Sequence, residues 1–181
     1  MILSTVAELF SSGKKHTFVE VKGWVKSFRA YRFITLSDGS TIKTIQCVVD
    51  FENMDETLLK QITIGAAIQV QGNLVESQGK GQALEIQVSS ITVLGAADPD
   101  LISKTILQPK RHSLEFLREQ AHLRPRTNTF GAIMRLRSSL SFAIHQYFHQ
   151  NGFNYMHAPI ITGSDAEGAG EMFRVTTLDP I

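Results

Sequence analysis

The sequence predicts a small all-β barrel followed by the beginning of an α+β unit. Strand patterns alternate with turn signals over residues 17–94, an Ala/Asp/Pro stretch follows near residue 98, and a long helical pattern begins near residue 130. With 181 residues, 43% of them apolar and 19% charged, the chain is long enough for one small domain and part of another.

Five strands and one helix are predicted for the first region. The strand patterns cover residues 17–28, 32–37, 44–50, 66–77 and 83–95. A helix face between the third and fourth strands is formed by Met54, Leu58, Leu59 and Ile62. Three strands, a helix and two strands is the order of an OB-fold, a five-stranded barrel that often binds oligonucleotides.

The N-terminal segment, the single cysteine and the hydropathy of the sequence each predict a further feature of the protein. Thr5 and Glu8 have the spacing of a capping box, which predicts a short N-terminal helix. A single cysteine, Cys47, excludes an internal disulfide and a multi-cysteine zinc site, and its position in a strand pattern predicts a core thiol. Because the sequence has no run of eighteen apolar residues and no signal-peptide core, we expect a cytoplasmic protein without a membrane partner.

Positive charge is concentrated in the segment that joins the two regions. Residues 1–100 contain nine Lys and Arg against eleven Asp and Glu, whereas residues 101–181 contain nine against six. Six of the basic residues fall between Lys104 and Arg126. This density suits a neighbouring phosphate backbone, and it equally suits a solvated linker.

A helix of about five turns is predicted from Phe130 onward, with Asn151-Gly152 as its end. The segment "FNYMHAPIIT" then predicts a strand that is interrupted at Pro159. One helix and one strand cannot bury their own apolar faces, so further chain or a partner is expected to cover them. His145 and His149 are one helical turn apart without a third ligand, and no metal site is expected there.

Two long segments carry a resemblance to a known family. The segments "KRHSLEFLREQAHLRPRTNTFGA" and "PIITGSDAEGAGEMFRVTTLD" are similar to bacterial asparaginyl-tRNA synthetases. The order of OB-fold, basic hinge, long helix and strand ending in proline resembles the N-terminal part of the class II aminoacyl-tRNA synthetases of the aspartate, asparagine and lysine group. In that family the helix, strand and proline form motif 1, which makes the dimer.

The resemblance implies a domain plan and an activity. Residues 1–98 would be the anticodon-binding OB-fold, residues 99–126 a basic hinge, and residues 127–181 the start of the α+β catalytic domain with motif 1 and a lid loop. The activity would be ligation of asparagine to its tRNA by a homodimer, with ATP and Mg²⁺. The family's ATP-binding motifs 2 and 3 would lie beyond Ile181, so the 181 residues alone are expected to be inactive and without a bound cofactor.

The resemblance also implies tRNA-binding residues in the barrel. Phe33 would stack on the central uridine of the anticodon, and Gln46 would bind its hydrogen-bonding edge. Arg29 would contact a neighbouring base or phosphate, and Glu85 a flanking base. An exposed aromatic residue on an OB-fold face suits stacking, although a strand phenylalanine is more often buried in a core.

In the glycine-rich loop, the resemblance assigns amino-acid binding. Glu167 would pair with the ammonium group of asparagine, flanked by Ser164 and Asp165, and composition alone would favour an acidic surface turn here. Dimer-interface positions implied by motif 1 are Pro159, Ile133 and Leu140. Two alternatives remain for the function: a non-catalytic OB-fold RNA-binding module, and a relative of aspartyl-tRNA synthetase.

Overall fold

The structure is a computed structural model, and it describes residues 3–12, 16–50, 52, 54–79, 81–163 and 173–177. The helices are α1 (Val6–Ser12), α2 (Glu56–Gln61), α3 (Pro99–Ser103), α4 (Leu114–Glu119) and α5 (Asn128–Gln150), with a 3-10 helix at Arg124–Arg126. The strands are β1 (Thr17–Arg29), β2 (Phe33–Ser37), β3 (Ile45–Val48), β4 (Ala67–Glu76) and β5 (Leu84–Gly95). The chain divides into two compact units, Met1–Leu136 and Arg137–Ile181.

The five strands form a closed barrel in the order β1-β2-β3-β5-β4, with β4 pairing back onto β1. The pair β3–β5 is parallel, and the other four pairs are antiparallel. Helix α2 connects β3 to β4. The predicted strand–helix order and the OB-fold are therefore confirmed. Closure removes the free strand edges that would otherwise invite pairing with other chains.

Alternation along the strands fills the barrel. In β2, Ile34 and Leu36 are completely buried, and in β3 Ile45 and Cys47 are as well. The neighbours of these residues along each strand are only partly buried, as the two-residue period of a strand requires. Burial in this core raises the pKa of the Cys47 thiol to about 12, which confirms it as a core residue rather than a reactive one.

Gly72 allows β4 and β5 to approach each other closely. A Cβ atom at this position would lie 2.1 Å from the carbonyl oxygen of Gln87. The register of β4 against β5 shifts between Gln71 and Gly72, so the glycine sits where the barrel wall bends.

The capping box predicted for the N-terminal helix is confirmed. The Glu8 carboxylate accepts the Thr5 N–H at 2.8 Å, and the Thr5 hydroxyl accepts the Glu8 N–H at 3.2 Å. The hydrogen bonds from Thr5 lower the pKa of Glu8.

The connection between β2 and β3 anchors α1 to the barrel. Asp38 Oδ2 accepts the Val6 N–H at 2.8 Å, and Ser40 Oγ accepts the Ala7 N–H at 3.0 Å. These first-turn N–H groups have no partner inside the helix, so the loop satisfies them from outside.

Helix α5 begins two residues earlier than predicted and ends where the sequence indicates. The Phe153 N–H donates to the Phe148 carbonyl oxygen at 3.0 Å, and Gly152 has a φ of +83°. This is the Schellman termination expected of Asn151-Gly152.

The strand predicted over "FNYMHAPIIT" is wrong for this chain. Residues 153–159 have no regular secondary structure, and all the described residues from 151 to 163 are exposed. None of the strand pairs among the described residues includes residues 153–159, so a strand there would have no described neighbour with which to form a ladder. Within the part of the chain that the structure describes, no helix is long and apolar enough to cross a membrane.

Candidate nucleic-acid interface

The outer face of β1, β2, β3 and β5 brings the four sequence-predicted barrel residues together. Arg29 pairs with Phe33 across β1 and β2, and Gln46 pairs with Glu85 across β3 and β5. Thr35, two residues after Phe33, pairs with Gln46 and links the two halves. Because residues two apart in a strand share a face, all of these side chains lie on the outside of the barrel wall.

Phe33 is oriented outward at the start of β2. Its neighbour Ile34 is completely buried, so the alternative that Phe33 belongs to the core is wrong. The Arg32 guanidinium carbon lies 5.7 Å from the centre of the Phe33 ring, within the range of a cation–π contact. The ring is thus presented with positive charge beside it, a combination that suits a nucleotide base and its phosphate.

Glu85 is placed to orient the Gln46 amide. Gln46 Nε2 lies 3.4 Å from Glu85 Oε2, a long hydrogen bond, and the Ser77 hydroxyl donates to the same oxygen at 2.8 Å. Since an ionised carboxylate only accepts hydrogen bonds, the amide nitrogen and not its oxygen must face Glu85. The second amide hydrogen and the carbonyl oxygen are a donor and an acceptor of the kind that pairs with a pyrimidine edge.

A groove of about 1100 Å³ runs beside this face within the first unit. Its basic and histidine lining residues are Lys26, Lys110, Arg111, His112 and Arg126. Ser27 and Thr35 also line it, and their hydroxyls are hydrogen-bonded to each other at 2.9 Å. The groove therefore extends to Thr35, which pairs with Gln46. Basic residues of the hinge line the groove as well.

Arg126 ties the hinge to the barrel. Its guanidinium carbon lies 4.7 Å from the Trp24 ring centre, and Lys26 donates a hydrogen bond to its backbone carbonyl. Burial, together with the charge of Arg126, lowers the pKa of Lys26, and burial also lowers the pKa of Arg126. No local sequence pattern indicates this pairing, because only the folded hinge brings Trp24 and Arg126 together.

Of the remaining predicted site residues, the three in the glycine-rich loop are not described by the structure, and the three at the predicted dimer interface are exposed. Ser164, Asp165 and Glu167 lie outside the described residues. Ile133 is 45% exposed and Leu140 is 53% exposed. Pro159 is also exposed, so these three positions are accessible to a partner.

Comparison with known families matches both parts of the chain. Residues 10–94 match the family described as OB-fold nucleic acid binding domain. Residues 113–179 match the class II tRNA synthetases of the D, K and N group.

Curated relatives with high sequence similarity are named asparagine–tRNA ligases. That of Parabacteroides distasonis is 53% identical over 95% of this chain. That of Phocaeicola vulgatus is 57% identical over 88% of this chain. The chain spans 37% and 34%, respectively, of the length of these relatives.

Solved structures agree with the fold. The asparaginyl-tRNA synthetase of Entamoeba histolytica is 26% identical, with a TM-score of 0.70 over 85% of this chain and 38% of that chain. The enzyme of Pyrococcus horikoshii complexed with asparaginyl-adenylate has a TM-score of 0.76 over 92% of this chain and 38% of that chain, at 21% identity. The chain belongs to the asparagine–tRNA ligase family of class II aminoacyl-tRNA synthetases.

Proposed function

We propose that the chain is part of an asparagine–tRNA ligase, which activates asparagine with ATP and transfers it to its tRNA. The relatives at 52–57% identity support the choice of asparagine. Mg²⁺ would accompany ATP, although the described residues contain no group of three His, Cys, Asp or Glu that could hold a metal ion. The protein would act in the cytoplasm as a homodimer.

The barrel's share of this function is binding of the anticodon. The single observation that carries the proposal is the outer face on which Phe33, Gln46 and Glu85 lie together, with Arg29 paired to Phe33. Phe33 stacks on the central uridine, and the Gln46 amide, held on one side by Glu85, binds the uracil edge. Arg29 contacts a neighbouring base or phosphate.

Glu85 is proposed to contact a flanking base. Anticodons for asparagine and aspartate share their central uridine and differ in one flanking base, so telling the two anticodons apart requires a contact with that flanking base in addition to stacking on Phe33. The glycine-rich loop would contribute the amino-acid site, where the Glu167 carboxylate pairs with the asparagine ammonium group, flanked by Ser164 and Asp165.

Binding of an anticodon stem-loop tests the proposal directly. The 181-residue chain is titrated with a fluorescent RNA hairpin that carries the anticodon for asparagine codons. Phe33→Ala should weaken binding by roughly 1–3 kcal/mol for every sequence, because stacking does not depend on base identity. Gln46→Ala should instead reduce the preference for uridine at the central position.

Matched controls are available on the same barrel. Phe18 is 48% exposed near the start of β1, and Phe18→Ala should leave RNA binding unchanged. Gln69 lies on β4, away from Gln46, and Gln69→Ala should keep the preference for the central uridine. Wild-type affinity in Phe33→Ala, together with an unchanged preference for the central uridine in Gln46→Ala, would show that this face does not bind the anticodon.

A further inference from the structure

The tip of the hairpin between β1 and β2 holds two consecutive residues in the left-handed conformation. Ala30 has a φ of +53° and Tyr31 a φ of +51°. The Arg32 N–H donates to the Arg29 carbonyl oxygen at 3.1 Å, which closes a type I′ turn. Glycine, asparagine or aspartate usually occupies both central positions, because other residues lose stability there. An alanine and a tyrosine in this turn are the kind of strain that marks functional positions.

The Tyr31 ring is held in place and is still largely open to solvent. It lies 5.8 Å from the Phe28 ring, centre to centre, at an interplanar angle of 80°. Such an edge-to-face contact fixes the direction of a ring without covering it. The residue as a whole remains 64% exposed, so ring surface is available for a ligand.

Tyr31 and Glu85 lie on opposite sides of Phe33. Tyr31 is at the hairpin tip, two residues before Phe33, whereas Glu85 pairs through Gln46 with Thr35, two residues after Phe33. Consider an RNA strand that stacks its central base on Phe33 and contacts Glu85 with one flanking base. Its other flanking base would then lie over the tip of the β1–β2 hairpin.

We infer that Tyr31 is a second stacking platform, which takes the anticodon base on the side away from Glu85. This inference rests on the proposed anticodon binding at Phe33. Arg29 and Arg32, which are both exposed beside the turn, pair with the phosphates of that nucleotide. Because every base can stack on a phenol ring, Tyr31 contributes affinity and not base preference.

A substitution that keeps the turn but removes the ring separates stacking from a role in folding. Asparagine tolerates the left-handed conformation, so Tyr31→Asn should retain the hairpin. In the stem-loop titration, Tyr31→Asn should raise the dissociation constant roughly fivefold to hundredfold, and Tyr31→Phe should change it by less than about twofold. Tyr155→Asn is the control, since Tyr155 is 71% exposed in the other unit, and it should bind as the wild type does.

An abasic nucleotide identifies the base that Tyr31 contacts. With the base removed at the contacted flanking position, Tyr31→Asn should cause no further loss of affinity, whereas Phe33→Ala should still weaken binding. If the losses of affinity from Tyr31→Asn and from removal of the base are fully additive at both flanking positions, the inference is overturned. So would wild-type affinity of Tyr31→Asn, provided that Phe33→Ala binds weakly. If neither variant changes affinity, the proposed anticodon site itself is wrong.

Discussion

The barrel and the unit at Arg137–Ile181 differ in where their apolar side chains lie. In the barrel, Ile34 and Ile68 are completely buried. In the second unit, Leu140 is 53% exposed and Phe142 is 70% exposed. Helix α5 contains no buried residue along its 23 positions. The two regions have similar kinds of apolar residues, but only the barrel covers its own.

This difference shows which region is stabilised by its own packing. A closed barrel buries one face of every strand, so its hydrophobic residues contribute to folding without a partner. A helix without buried residues depends on its own hydrogen bonds and caps, and its apolar stripe remains a surface for association. The proposed homodimer, through Ile133 and Leu140, would cover that stripe.

The stability of the barrel should be most sensitive to substitution at Gly72, where β4 and β5 approach each other closely. Gly72→Ala would place a methyl group 2.1 Å from the Gln87 carbonyl oxygen. Because backbone cannot yield as a flexible side chain can, we expect the free energy of unfolding to fall by about 4 kcal/mol or more. Urea denaturation followed by circular dichroism measures this. At Gly95 the nearest atom would be 3.8 Å away, and a loss from Gly95→Ala as large as that from Gly72→Ala would contradict the explanation.

A pair of side-chain truncations tests whether the barrel and helix α5 differ in packing. Ile34→Ala removes methyl groups from the filled barrel and should cost about 3 kcal/mol of unfolding free energy. Leu140→Ala removes a similar volume from an exposed position and should change it by less than about 0.5 kcal/mol. Equal losses in denaturation of the 181-residue chain would mean that α5 is packed as tightly as the barrel.

Association should depend on the exposed stripe of α5 and not on the barrel. Leu140→Asp places a charge in that stripe, and it should raise the dissociation constant of the proposed dimer by about tenfold or more. Ser138 is two residues away and points to the opposite side of the helix, so Ser138→Asp should leave association unchanged. Sedimentation of the two variants distinguishes them, and equal weakening would move the interface off the stripe.

Sequence patterns were informative where they depend on local rules. Alternation in β2 and β3, the capping box at Thr5 and the stop at Gly152 all follow from the period or cap chemistry of a single element, and each is confirmed. The strand predicted over residues 153–162 is wrong, because a strand needs a partner that its own pattern cannot supply.

The interface shows the same division between local and non-local information. The outward direction of Phe33 follows from buried Ile34 beside it. The contact of Trp24 with Arg126 joins residues about a hundred positions apart, and no local pattern indicates it. The roles of Phe33 and Gln46 come from the family resemblance and stay predictions.

The smallest expected effect concerns how the barrel holds its own peripheral helix. Burial raises the pKa of Asp38, but the hydrogen bonds from Ser40 and the Val6 N–H outweigh it, so the pKa lies below its ordinary value. The folded state therefore favours the ionised carboxylate, and its contribution is present at neutral pH and is lost as the pH falls below the unfolded pKa. Asp38→Asn should cost about 1 kcal/mol at neutral pH, the typical value of a helix cap. Denaturation at pH 7 and near pH 3 should show the difference from wild type shrinking in acid. Ser40→Ala removes a hydroxyl that donates to Asp38 at 2.7 Å and should reduce that pH dependence, whereas a cost for Asp38→Asn that is constant with pH would mean that the ionised carboxylate does not hold α1.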